Sequence, residues 1–252
     1  MNFGSGPVEL NGRSLFVARY DALSQPLWHL VAPVGESVGL GPSIAVDSLG
    51  GLVVGGQFRG SLHVGANAIT TKRSEGFLFR LGADGGVTWL RAAGVVSSVT
   101  HVATLGERII AIGTAQGNRA FGLTSNATSE TGMFLIALDA RGQSQWLVGD
   151  DSHATSTGAG LAVAGSTIHT ATDLAMGLDG GGSDIVVQSW DINGRQIGTP
   201  WQTHGAGVGG FTSFVAVGNG ELMLTGLLDG PLLVDDIELR SGSLASFVVT
   251  LR

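Results

Sequence analysis

Three histidines, His101, His153 and His204, carry the side chains best suited to chemistry in this sequence. His153 and His204 fall in connections between β-rich runs, and His101 opens such a run. Imidazole is a common zinc or copper ligand. If these connections open onto one face, the three rings converge, and Thr100 and Thr155 line the same rim. A site of that kind suits a metal-dependent lyase or hydrolase. The plainer reading is three unrelated polar residues, since their positions are not equivalent between the repeats described below. The expectation is therefore no cofactor, with zinc or copper as the alternative. His29, His63 and His169 read as surface or strand residues.

Aromatic residues offer a different chemistry. Trp28, Trp89, Trp146 and Trp201 recur at regular intervals. An exposed row of indoles would bind sugars, but the regular spacing favours packing, each ring covering a neighbouring sheet. Trp190 breaks the period and is the better candidate for an exposed contact with a protein or carbohydrate partner.

Other motifs lack their mechanical context. Gly205-Ala206-Gly207-Val208-Gly209-Gly210 has the glycines of a dinucleotide fingerprint, but two strand-like runs follow where a helix is needed. Gly180-Gly181-Gly182-Ser183-Asp184 occurs once and reads as a turn, not as a calcium repeat. Asp235, Asp236 and Glu238 are too nearly contiguous for an alternating oxygen cage and read as a solvated acidic loop. Asn126-Ala127-Thr128 matches a glycosylation sequon. The hydrolase, zinc-protease and P-loop signatures are absent from the sequence.

These residues must be positioned by strands. Glycine accounts for 42 of 252 residues and proline for 6, with the glycines set between apolar runs, as an all-β chain with many tight turns requires. Hydrophobic residues make up 43% and charged residues 13%, enough apolar content to fold. The net charge of −7 argues against a nucleic-acid partner, which calls for clustered Lys and Arg. No apolar run approaches a membrane-spanning length, so no membrane insertion is expected. Residues 1–6 have neither the basic region nor the apolar core of a signal peptide. Cysteine is absent, which excludes disulfides and thiolate metal sites.

The stretch from Ile44 to Trp89 sets the pattern. Ile44–Asp47, Leu52–Gly56, Phe77–Leu81 and Val87–Leu90 read as four short antiparallel strands. Phe77 and Trp89 are 12 residues apart, as are Phe16 and Trp28, and Phe134 and Trp146. The end of the second strand falls at Gly56, Gly113, Asp173 and Gly226, in steps of 57, 60 and 53 residues. Four strands at such a period predict a β-propeller of four-stranded antiparallel blades, each needing neighbours to bury its faces. The chain reads as one domain, 1–252, of about four to five blades: a partial blade at 1–36, blades at 37–96 and 97–151, a degenerate copy at 152–207, and a blade at 208–252 that lacks its last strand.

The copies resemble the SBBP-type β-propeller repeats of bacterial cell-surface proteins. The resemblance rests on Ile44-Ala45-Val46-Asp47 through Gly56-Gln57-Phe58, on Phe16–Asp21 with Trp28, and on Phe134–Asp139 with Trp146. The copy at 152–207 departs most, with Asp173 for the glycine and Val186 for the phenylalanine. The resemblance implies an extracellular or cell-surface location and brings no catalytic motif. The incomplete ends allow four blades closing with an extra strand, an incomplete fifth blade, or a piece of a larger ring, the last being favoured, with self-association possible through the unfinished edge at Phe247–Leu251. Three functions follow as expectations: a non-enzymatic binding or scaffolding propeller first, the metal-dependent enzyme second, and a structural spacer third.

Overall fold

The computed structural model describes residues 2–4, 6–10, 12–39, 42–126, 131–149, 159–174, 184–204, 208–217, 221–234, 237–240 and 242–251, with the backbone alone at 159, 174 and 208–212. Every regular element among them is a strand, so the all-β expectation holds.

The strands form consecutive antiparallel units. β1 (Ser14–Tyr20) pairs with β2 (Pro26–Pro33). The second unit contains β3 (Ser37–Val38), β4 (Ser43–Val46), β5 (Leu52–Val64), β6 (Asn67–Leu81) and the first part of β7 (Val87–Leu105). The third takes the rest of β7, then β8 (Arg108–Gln116), the small hairpin β9 (Arg119–Ala120) and β10 (Leu123–Thr124), β11 (Thr131–Leu138) and β12 (Ser144–Gly149). The fourth is β13 (Ala159–Ala164), β14 (Thr167–Leu174), β15 (Asp184–Trp190) and β16 (Gln196–Gln202), in sequence order. The last is β17 (Val208–Ala216) and β18 (Leu222–Asp229), then the hairpin β19 (Leu232–Val234) and β20 (Ile237–Leu239), then β21 (Ala245–Leu251), which pairs with β18.

The sequence places a strand ending near Leu90 and a fresh one opening at His101. Instead β7 runs without interruption for 19 residues. It pairs with β6 as far as Val96 and with β8 from Ser97 onward. Val95, Val96, Val99 and Thr100 favour extended backbone through the crossing. The second and third units therefore share one sheet.

The units stack face to face. β11 is buried from Gly132 to Leu138, and its side chains alternate between two cores. Phe134, Ile136 and Leu138 pack with Val53 and Leu78 of the second unit. Met133, Leu135 and Ala137 pack with Leu161, Ile168 and Trp190 of the fourth. The period of two thus serves two apolar faces, which explains near-continuous hydrophobic runs in an antiparallel sheet. Two further cores complete the series. One joins Leu15, Val17 and Ala32 of β1–β2 to Leu52, Val54 and Phe79 of the second unit. The other joins Ile185 and Val187 of the fourth unit to Phe214, Leu224 and Phe247 of the last. Closeness at the end of the second strand explains its glycine: a Cβ on Gly113 would lie 1.8 Å from the Ser98 carbonyl oxygen.

Candidate functional site

The third-to-fourth connections are tight turns, led by Asp21, Asp139 and Asp191 in three units and by Gly82 in the second. Asp139 Oδ1 accepts the backbone N–H groups of Arg141 and Gln143, each at 2.9 Å, and Gly142 N–H donates to the Asp139 carbonyl at 2.9 Å. Asp191 repeats this arrangement with Asn193 and Arg195. The Arg195 N–H, aided by that of Asn193, holds the Asp191 carboxyl below its ordinary value.

The three later turns each receive a tryptophan from the preceding unit. Nε1 of Trp28 donates to Ala83 O at 2.9 Å, that of Trp89 to Ala140 O at 3.0 Å, and that of Trp146 to Ile192 O at 3.0 Å. The turn glycines Gly85, Gly142 and Gly194 have φ of +83°, +74° and +76° and lie flat against these rings. A Cβ at Gly142 would stand 2.8 Å from the Trp89 indole. The period-12 tryptophans are thus packing residues that lock unit to unit.

Two residues beyond the tryptophan, on the same strand face, the units diverge. After Trp201 the place is taken by Thr203, buried and accepting the Ile185 N–H at 2.9 Å, and the other three differ from it. Those three are Leu30, Arg91 and Val148, opposite Val17, Leu78 and Leu135 in register. Leu30 packs into the first core beside Val87. Val148 packs into the core between the third and fourth units. Arg91 stands where these apolar residues stand, and Ser144 takes the turn position that Val87 occupies in the second unit.

The exchange opens a cleft of roughly 360 Å³ between the second and third units, bounded by Arg91, Phe121, Leu123, Leu138, Gln143 and Ser144. The β9–β10 hairpin leans over it. Phe121 N–H donates to Ala93 O at 2.8 Å, and Ser144 Oγ donates to Phe121 O at 2.8 Å. The Phe121 ring meets Phe134 edge-on, with centroids 6.1 Å apart. Arg91 is half-buried; its guanidinium donates to the Leu90 carbonyl at 3.2 Å and pairs with no carboxylate among the described residues. Arg80, on β6, contrasts with it, making a two-nitrogen ion pair with Asp47 at 2.6 and 2.9 Å. Burial pushes the Asp47 carboxyl up, but the Arg80 guanidinium and the N–H groups of Gly51 and Leu49 outweigh it and hold the carboxyl below its usual value.

The residues singled out from the sequence fall elsewhere. Trp190 is corrected: it is 5% exposed, so it is a core residue and not an exposed contact. It breaks the period because it ends β15, a third strand, and its Nε1 donates to Thr170 Oγ1 at 3.0 Å within the stacked faces. Thr100 lies on β7 and donates its hydroxyl to the Ile112 carbonyl at 3.2 Å, within the sheet. His101 is half-buried on β7, opposite Ile112. His204 is exposed and bridges to Leu233 through its backbone. His153 and Thr155 lie outside the described residues. Among the described residues no three His, Asp or Glu side chains gather as a metal site.

Of the remaining histidines, His29 stacks on Phe3 at 4.8 Å, His63 is exposed on β5, and His169 is 9% exposed on β14, with Nδ1 2.9 Å from Ser189 Oγ. Burial lowers the His169 pKa. Gly205–Gly207, Gly180–Ser183, Asp235 and Asp236 lie outside the described residues. Val208–Gly210 belong to strand β17, and Asp184 is wholly buried on β15, where it accepts Gln202 Nε2 at 3.2 Å. Glu238 pairs with Arg240 at 2.8 Å on the surface.

Reading motifs by residue type passed over Arg91. The signal was positional: one charged residue two places after a tryptophan, where Leu30, Val148 and Thr203 are uncharged.

No family model matches the chain, and no curated protein matches it. Among solved structures it is similar to a GH43 endo-arabinanase from Bacillus licheniformis, at 11% identity over 78% of this chain and 67% of that one, with a TM-score of 0.38.

Proposed function

We propose that the chain is a β-propeller array of about four to five four-stranded blades, of the SBBP-type repeat class, and that it acts as a non-enzymatic extracellular or cell-surface binding module. The observation that carries the binding role is the Arg91–Ser144 pair. At one blade boundary, polar residues replace the apolar filling that Leu30 and Val87 supply at the preceding one. Face-to-face burial of successive sheets supports the blade reading. A stack with a polar opening between two of its units suits recognition, the frame holding contact residues in place. A protein or carbohydrate is the expected partner class, and no resident metal is part of the reading.

The test is a glycan and protein array screen of the purified chain, run beside metal analysis and turnover assays on any ligand found. A saturable ligand recovered unchanged supports the reading. Stoichiometric zinc or copper that His101→Ala removes, together with turnover, overturns it in favour of a histidine-centred enzyme.

A further inference from the structure

We propose that the cleft between the second and third units binds a carboxylated sugar ring, with Arg91 holding the carboxylate and Phe121 covering one face of the ring. Three observations converge on this.

The first is Arg91 itself. The residue is half-buried, and its guanidinium has no carboxylate partner among the described residues of a chain with net charge −7. A guanidinium presents parallel N–H donors that match a carboxylate, and a partly desolvated one gains most from such a partner.

The second is Phe121. It sits at φ +49° in a two-residue hairpin turn with Gly122 at φ +82°, between paired Ala120 and Leu123. Such turns favour Asn at the first position, and an aromatic residue there costs about 1–2 kcal/mol. The backbone is held in place regardless, by the bonds to Ala93 and Ser144. An aromatic ring is thereby held in the cleft lining, half-buried with its packing against Phe134 and the core behind it. Strain of this kind, secured by its surroundings, gathers at ligand sites.

The third is size and lining. Roughly 360 Å³ lies at the small end of ligand pockets and suits one or two sugar rings. Gln143 supplies an amide for ring hydroxyls, and Phe121 and Leu123 an apolar face for C–H groups. A bare phosphate or sulfate makes no use of the aromatic ring, and a neutral sugar leaves the guanidinium unanswered.

The experiment titrates the full chain with galacturonate and glucuronate, and with galactose and glucose as neutral parents, by calorimetry and NMR. The uronates are expected to bind at least roughly tenfold more tightly than their parents. Arg91→Leu restores the residue type that stands at Leu30, so the fold is retained. It should weaken uronate binding roughly 10- to 100-fold while the melting temperature holds or rises. Arg91→Lys, which keeps the charge but loses the fork, should fall between. Failure of either uronate to bind, equal binding of the neutral parents, or unchanged binding by Arg91→Leu overturns the proposal. The proposal rests on the binding reading above, and the two fail differently. A different array ligand held equally by Arg91→Leu removes the cleft assignment alone, whereas turnover of a bound uronate removes the binding reading.

Discussion

The indole Nε1 of Trp89 donates to the Ala140 carbonyl at 3.0 Å, tying the part of β7 that pairs with β6 to a turn of the next unit. The ring is 6% exposed and lies against Gly142. Hydrogen bond, aromatic burial and glycine turn act together at one boundary.

Trp89→Phe keeps most of the apolar contact and leaves the Ala140 carbonyl without its donor. It should cost about 1–2 kcal/mol. Trp89→Ala also opens a cavity and should cost about 3–5 kcal/mol. Urea unfolding of both variants measures the difference, and equal losses would mean that the hydrogen bond contributes nothing.

Gly142→Ala places a methyl group 2.8 Å from the indole at φ +74°. It should destabilise by about 2–4 kcal/mol, from left-handed strain plus overpacking. Gly94→Ala is the control, since φ there is +81° with no atom within 4 Å of the added carbon. Its smaller loss, about 1–2 kcal/mol, measures strain alone.

Asp47 and Arg80 are largely buried, with 8% and 12% of their side chains exposed. Arg80→Ala should cost about 2–3 kcal/mol at neutral pH by leaving the carboxylate unpaired. Because the folded pKa of Asp47 is lowered, its contribution is complete above the unfolded value of about 3.9 and disappears as the pH falls through the folded value. Thermal melts between pH 5 and pH 2 should therefore show an acid slope that Asp47→Asn reduces.

His169 gives a second pH dependence at a separate place. Burial lowers its folded pKa, so the unfolded chain takes up the proton first. Stability is full above the unfolded value of about 6.5 and declines as the pH falls below it. His169→Gln, which can keep a hydrogen bond to Ser189, should flatten the melting temperature between pH 7.5 and pH 5.5. An unchanged slope would place the proton uptake at another histidine.

Much of the fold was legible in the sequence, because strand period and glycine turns are local signals. The 12-residue spacing from Phe77 to Trp89 reflects a strand, an aspartate- or glycine-led turn and a returning strand, repeated wherever an indole must meet the next unit. The continuity of β7 was not legible, because Gly94 and the small residues around it look like a break, while the pairing that keeps them extended comes from two different neighbours. Trp190 was misread for a related reason: departure from a period says that a residue has another partner, not that it faces water. Arg91 escaped because a lone arginine carries no motif, and its meaning comes only from alignment with Leu30 and Val148 across unit boundaries.

β7 has a consequence for how the chain comes apart. A peptide group near Val96 and Ser97 lies where one continuous strand passes from β6 to β8, so detaching either partner loosens the track that the other is bonded to. The second and third units should open as one cooperative foldon, with amide hydrogens in β6 and β8 exchanging at a common, slow rate. β1–β2 is not part of that shared sheet. It holds to the second unit by side-chain packing, by bonds from Arg19 and Trp28 to Gly50 and Ala83, and by the Val34–Leu62 bridge just past β2, so its amides should exchange by separate, easier fraying that begins away from Val34. The chain would then lose this flank in steps while the second and third units persist.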